Sequence, residues 1–135
     1  MKQIIFMMIF ISTIINADLT RDTNKIVTDN ITKLMWQDNV SSSSYEWLNA
    51  ISYCENLTLG TFSDWKLPNK TELLSIVDYN KSSPSISTFI STKLGYYWSS
   101  TTSNDDKIEA WIINFKLGHT NKNNKNKSLY VRCVR

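Results

Sequence analysis

Two cysteines constrain this chain more than any other feature. Cys54 and Cys133 are the only pair, and both follow an N-terminal stretch that reads as an export signal. Lys2 precedes an apolar run from Ile4 to Ile11, which continues to Ile15 and closes on Asn16-Ala17. That positive, apolar, small order is the pattern of a secretory signal peptide. The apolar core is too short to cross a bilayer comfortably, and no later segment is apolar enough, so no retained membrane span is expected. The mature chain is expected to be secreted, periplasmic or at the cell surface. An even cysteine count in an exported chain favours a disulfide. It would close a loop of about eighty residues, worth roughly 4.5 kcal/mol in the chain-entropy model, and would tie an internal helix to a C-terminal strand. A Cys-x-x-Cys redox motif is absent, and a single histidine, His119, can hardly complete a zinc site around two cysteines.

The organisation read from the sequence is a signal peptide over 1–17, a polar N-terminal extension over 18–25, and one domain over 26–135. Removing residues 1–17 from 135 leaves 118, enough for a real core. The formal charge falls from +3 to +2 with Lys2, a value that says little about partners. Residues 25–28 and 33–37 read as two strands around an Asp29-Asn30 turn. The serine run 41–44 then places Ser43 three residues before Glu46, a capping box for a helix whose buried stripe is Trp47, Ala50, Ile51, Cys54 and Leu57. A second capping box, Asn69 with Glu72, opens a short helix carrying Leu73, Leu74, Ile76 and Val77, expected to end near residues 78–80. Residues 96–101 and 109–117 read as strands. In the latter, alternation puts Trp111, Ile113 and Phe115 on one face and Ala110, Ile112 and Asn114 on the other. The asparagine-lysine segment 121–127 is read as a solvated hairpin tip or a mobile positive loop, and 128–134 as the final strand.

Several separated pieces then form a recognisable pattern. They are Val27-Thr28-Asp29 with Thr32-Lys33-Leu34-Met35-Trp36-Gln37, Trp47 with Ala50 and Cys54, and Asp64-Trp65-Lys66-Leu67-Pro68-Asn69 with Glu72-Leu73. Tyr97-Trp98-Ser99-Ser100-Thr101, Ala110-Trp111 and Tyr130-Val131-Arg132-Cys133-Val134-Arg135 complete it. Together they resemble the DUF1566 family, which includes the C-terminal domain of the Legionella collagen-like adhesin, and the resemblance runs from about Ile26 to Arg135. It implies an α+β fold, C-type-lectin-like or formylglycine-generating-enzyme-like, with two helices and a twisted, mostly antiparallel sheet, the first helix stapled to the last strand. For the adhesin relative it also implies binding of sulfated glycosaminoglycans and a trimer on a collagen-like stalk. No collagen period occurs in this sequence.

The individual residues point away from catalysis. Asp64 sits in a motif ending at Pro68 and a helix cap, which suggests a rigid turn, and Glu72 is a cap residue, so paired-carboxylate chemistry is not expected. Ser99 and Ser100 lack the Gly-x-Ser-x-Gly elbow. Asp105, Asp106, Glu109 and Asn114 are the groups available to a calcium ion, but the lectin signatures Glu-Pro-Asn and Trp-Asn-Asp are missing, so no metal and no cofactor are expected. Trp36, Trp65, Trp98 and Trp111 are read as an aromatic core, at least three of them structural. Arg132, set opposite Val131 and Cys133 by alternation, either belongs with the neighbouring basic residues or pairs internally with a carboxylate as part of the structural motif. Lys116, Lys122, Lys125, Lys127 and Arg135 remain as a basic patch suited to sulfates. The expected function is therefore an exported, non-enzymatic binding domain for sulfated or other polyanionic glycan. The alternative is a structural or protein-interaction module of the cell envelope, with an envelope protein as partner. Nucleic acid is not an expected partner, for want of a recognition motif.

Overall fold

The computed structural model describes residues 18–40 and 43–135; the predicted signal peptide and the first half of the serine run lie outside them. Leu19–Arg21 (β1), Ile26–Asp29 (β2) and Met35–Gln37 (β3) form an antiparallel sheet in chain order. Residues 18–25, expected to extend from the domain, thus contribute its edge strand. The Asp22 carboxylate accepts the N–H groups of Asn24 and Ile26, each at 2.9 Å, and so turns the chain back onto β2. Asp29 does the same for the next turn, accepting from Ile31 N–H and the Thr32 hydroxyl, a local side-chain bond typical of Asp in turns.

The first helix, Trp47–Glu55 (α1), begins without the expected capping box: its N-cap is Glu46, and no side chain caps it. A tertiary bond takes over part of that role, because Trp47 N–H donates to the Lys125 carbonyl at 3.0 Å, satisfying one of the donors a helix start leaves open. In the second helix, Lys70–Ser75 (α2), both halves of the capping box form. Asn69 Oδ1 accepts from Glu72 N–H at 2.7 Å, and Glu72 Oε1 accepts from Asn69 N–H at 2.9 Å. α2 stops earlier than expected because Asp78 N–H leaves the helical path for the Ser85 carbonyl, at 2.8 Å.

Tyr96–Thr102 (β4), Glu109–Asn114 (β5) and Thr120–Asn124 (β6) make a second antiparallel sheet in chain order. The fold is therefore α+β with two three-stranded sheets. β5 ends at Asn114, short of the expected Leu117, because the chain reverses there: Gly118 N–H donates to the Asn114 carbonyl at 2.7 Å. Gly118 has φ +80°, and a Cβ on it would sit 2.7 Å from Val77 Cγ1, so both backbone and space require glycine.

The asparagine-lysine segment is neither a hairpin tip nor a loose loop over its first half; Asn121–Asn124 belong to β6. Asn121 and Asn123 side chains accept the N–H groups of Lys122 and Asn124, at 2.8 and 2.9 Å. Outward N–H groups of an exposed edge are thus covered locally, and lysines complete the protection of the edge.

Residues 128–134 do not form a continuous strand, and the reason is that they serve two sheets. Tyr130 bridges Tyr97 in the second sheet, Val134 bridges Trp36 in the first, Val134 also bridges Lys66, and Leu129 bridges Tyr45. The Cys54–Cys133 disulfide, with Cα atoms 5.4 Å apart, joins this segment to α1.

Successive residues of the central strands feed two cores. Ile26, Trp98, Ile112 and Cys133 pack with Ala50 and Cys54 of α1, while their neighbours Val27, Tyr97, Ile113 and Val134 pack with Leu73 of α2. Strand alternation explains the split, with α1 and α2 covering opposite faces of the second sheet.

Candidate functional site

Among the sequence-selected aromatics, Trp36, Trp65 and Trp98 are buried, whereas Trp111 is only half-buried. Trp111 lies on β5 directly opposite Lys122 of β6. Lys70, the first residue of α2, brings its ammonium 3.3 Å from the centre of the Trp111 ring, and the Lys122 ammonium lies 4.9 Å from it. The ring faces attract cations through their quadrupole. Lys122 also pairs with the exposed carboxylate of Asp105. Lys70 was missed by a sequence reading that looked for basic residues close together in the chain. Its position at the start of a capped helix was visible, but its meeting with Trp111 depends on the packing of α2 against β5.

Lys125 occupies a different place. Its ammonium sits 4.1 Å from the centre of the half-buried Trp47 ring and donates to the Thr102 hydroxyl and the Lys107 carbonyl, each at 2.9 Å. Glu46, Trp47, Leu48, Lys125 and Asn126 line a cleft of about 390 Å³ there. Two residues separate Lys122 from Lys125, which follows the end of β6, and the two ammonium groups reach different rings, Trp111 and Trp47. Lys127 follows, exposed, at the same end of the hairpin, while Lys116 lies exposed in the β5–β6 turn at the other end.

Arg135 does not join the lysines. Its guanidinium donates to Asp64 at 2.6 and 3.1 Å and stacks 3.6 Å from the centre of the Phe62 ring. The Arg135 hydrogen bond holds the Asp64 carboxyl below its ordinary value, and the Asp64 bond raises Arg135 in return. Asp64 thus serves as an ion-pair partner, while a backbone hydrogen bond at Asp64 also lowers its carboxyl, as expected of a turn acceptor. Pro68 is buried and its carbonyl takes the Ser100 N–H, at 2.8 Å. Glu72 couples its cap to an ion pair with Lys66 at 3.1 Å.

Arg132 is wholly buried. It donates to the carbonyls of Gln37 and Ser91, at 2.6 and 2.7 Å, and to the Thr92 hydroxyl at 3.0 Å, with the buried Asp38 carboxylate 3.5 Å away. Asp38 in turn accepts from Arg21 and from the N–H groups of Ile90 and Ser91. Burial pulls the Arg132 guanidinium below its ordinary value, opposed by Tyr97 and Asp38, and burial also raises the Tyr97 phenol. Such a network fixes three segments in one arrangement, since each buried polar group needs its partner.

Of the remaining candidates for chemistry, Ser99, Asp106 and Asn114 are engaged in structural bonds. Ser99 is buried and its hydroxyl donates to the Trp111 carbonyl at 2.7 Å. His119 is exposed beside Tyr96. Asp106 accepts the Ile108 N–H at 3.0 Å, and Asn114 accepts the Lys116 N–H at 2.7 Å. Among the described residues no three His, Cys, Asp or Glu side chains gather as a metal-binding group, and no helix is long and apolar enough to cross a membrane.

Fold and surface together define a small α+β domain, stapled by one disulfide, that presents lysines over tryptophan rings along a sheet edge. The chain belongs to the Lcl C-terminal domain family, whose model matches residues 25–135. A comparison with curated proteins finds no match.

Proposed function

We propose that this is an exported, non-enzymatic binding domain of C-type-lectin-like or formylglycine-generating-enzyme-like fold, which recognises sulfated or other polyanionic glycans in an adhesin-like role. The observation that carries the reading is the arrangement at the β6 edge, where Lys70 and Lys122 flank Trp111 on one side and Lys125 lies over Trp47 on the other. A linear polyanion along that edge would meet ammonium groups from both sides, each held in place over a tryptophan ring. Lys127 extends the track, while Lys116 and Arg135 are peripheral to it. Membership of the Lcl C-terminal domain family supports the same reading.

Replacing Lys70, Lys122 and Lys125 together by Gln tests it. Affinity for heparin is expected to fall by about tenfold or more, a loss of roughly 1.4 kcal/mol, with the folded circular dichroism spectrum retained and the melting temperature lowered modestly by loss of the Lys125 bonds. Unchanged affinity in that variant would refute the site. Exposed Leu48, at 69%, and Ile108, at 57%, favour a second reading, in which the same end of the domain docks an envelope protein. A partner retained in high salt would identify that case, because charge-driven glycan binding is screened there.

A further inference from the structure

The buried stripe of α1 leaves an opposite side in solvent, where amides and hydroxyls stand beside the exposed Leu48 and Glu55. Asn49, Ser52, Tyr53 and Asn56 recur at helical spacing, so their side chains share one face. Beside them the rings of Tyr45 and Tyr53 stack with centroids 4.9 Å apart and planes inclined by 27°. Together with Leu57 and Thr58 these residues line an open cleft of about 540 Å³, within the range of ligand clefts. No Lys, Arg, Asp or Glu is among the residues lining it. It is separate from the lysine-bearing edge, which shares none of these side chains.

The aromatic floor is held rigidly. Tyr53 Oη accepts from Gln37 Nε2 at 2.9 Å, and Gln37 Oε1 accepts the Cys133 N–H at 3.1 Å. Tyr45 exchanges backbone bonds with Leu129, at 2.9 and 3.0 Å, and its carbonyl accepts Trp98 Nε1 at 2.8 Å. On the rim, the exposed Asn49 amide has no hydrogen-bond partner among the described residues, so a donor pair and an acceptor face the cleft's solvent.

We propose that this cleft is a binding site for an uncharged saccharide unit. A pyranose presents an apolar C–H face and a rim of hydroxyl groups. Stacked tyrosines match the first, and Asn49, Ser52, Asn56 and Thr58 match the second. A sulfated or carboxylated ring finds no counter-charge there and would lose hydration without compensation. The protein accordingly carries two glycan contacts of opposite character, one ionic at the β6 edge and one neutral on α1.

The probes are soluble dextran and mannan, titrated into the purified protein in high salt, where the lysine edge is screened. Binding of one of them is expected. It should weaken by about tenfold in Asn49→Ala and be abolished in Ser52→Trp, which fills the cleft from an exposed helix position. The Lys70, Lys122 and Lys125 to Gln variant should bind as the wild type does, which separates this site from the polyanion reading. Circular dichroism melts of the two α1 variants establish that they fold. Failure of both polysaccharides to bind, or binding that Ser52→Trp leaves intact, would overturn the proposal.

Discussion

Arg132 and Asp38 show why a charged residue sits where the flanking pattern is apolar. Arg132 lies between Val131 and Cys133 and is as inaccessible as they are, yet its guanidinium reaches two carbonyls, a hydroxyl and a carboxylate. Asp38→Ala would leave that cation buried without its counter-charge. The expected cost is about 3–5 kcal/mol, read as a lower urea midpoint with an unchanged slope. A pair at the surface behaves differently. The Asp64 carboxyl is held below its ordinary value by Arg135, so its contribution to stability is present above the ordinary carboxylate range and is lost as pH falls through the lowered value. Asp64→Asn is expected to reduce the acid sensitivity of unfolding by a small amount, because the pair is solvent-screened. Acid titrations of both proteins, followed by tryptophan fluorescence, check this. Internal pairing of Arg132 was one of two readings open in the sequence, beside a place in the basic patch, since alternation sets it opposite Val131 and Cys133. The identity of its partner was not legible, because Asp38 lies nearly a hundred residues earlier and meets it only through the closing segment.

At the scale of elements, the periodicities that succeeded were those governed by local bonds. The Asn69–Glu72 capping box is satisfied within four residues, and β4 and β5 begin where alternation begins. The expectations that failed were overruled by tertiary contacts. α1 begins at a backbone bond to Lys125 in place of a side-chain cap, and 128–134 gives up continuous pairing to bridge both sheets. β6 escaped notice because its composition of asparagine and lysine resembles a loop. In the structure those same residues are an edge strand's protection: asparagines bond outward N–H groups, and lysines discourage pairing with another chain. Replacing Lys122 and Lys125 by Thr should therefore promote self-association, visible as a concentration-dependent mass in sedimentation, whereas Gln at both positions should do so less. In the adjoining turn, Gly118→Ala combines φ +80° with a contact at Val77. It is expected to destabilise by about 1–3 kcal/mol, measurable by thermal melting.

For the molecule as a whole, the two cysteines did report the architecture. The disulfide links α1 to the segment that stitches the two sheets together. Removing it by Cys54→Ser with Cys133→Ser is expected to cost about 2–5 kcal/mol, with reduced protein melting at a correspondingly lower temperature. What the sequence concealed was the placement of the lysines around their tryptophans. Nearness along the chain grouped Lys116 through Lys127 and Arg135, but Lys122 and Lys125 reach different rings, and an ion pair holds Arg135 elsewhere. The most direct test of the glycan-binding claim compares heparin with fully desulfated heparin across a salt series, using the unaltered protein. The account predicts saturable binding to heparin that weakens steadily with salt and is lost on desulfation. Equal binding to both polymers, or none to heparin at low salt, would contradict it.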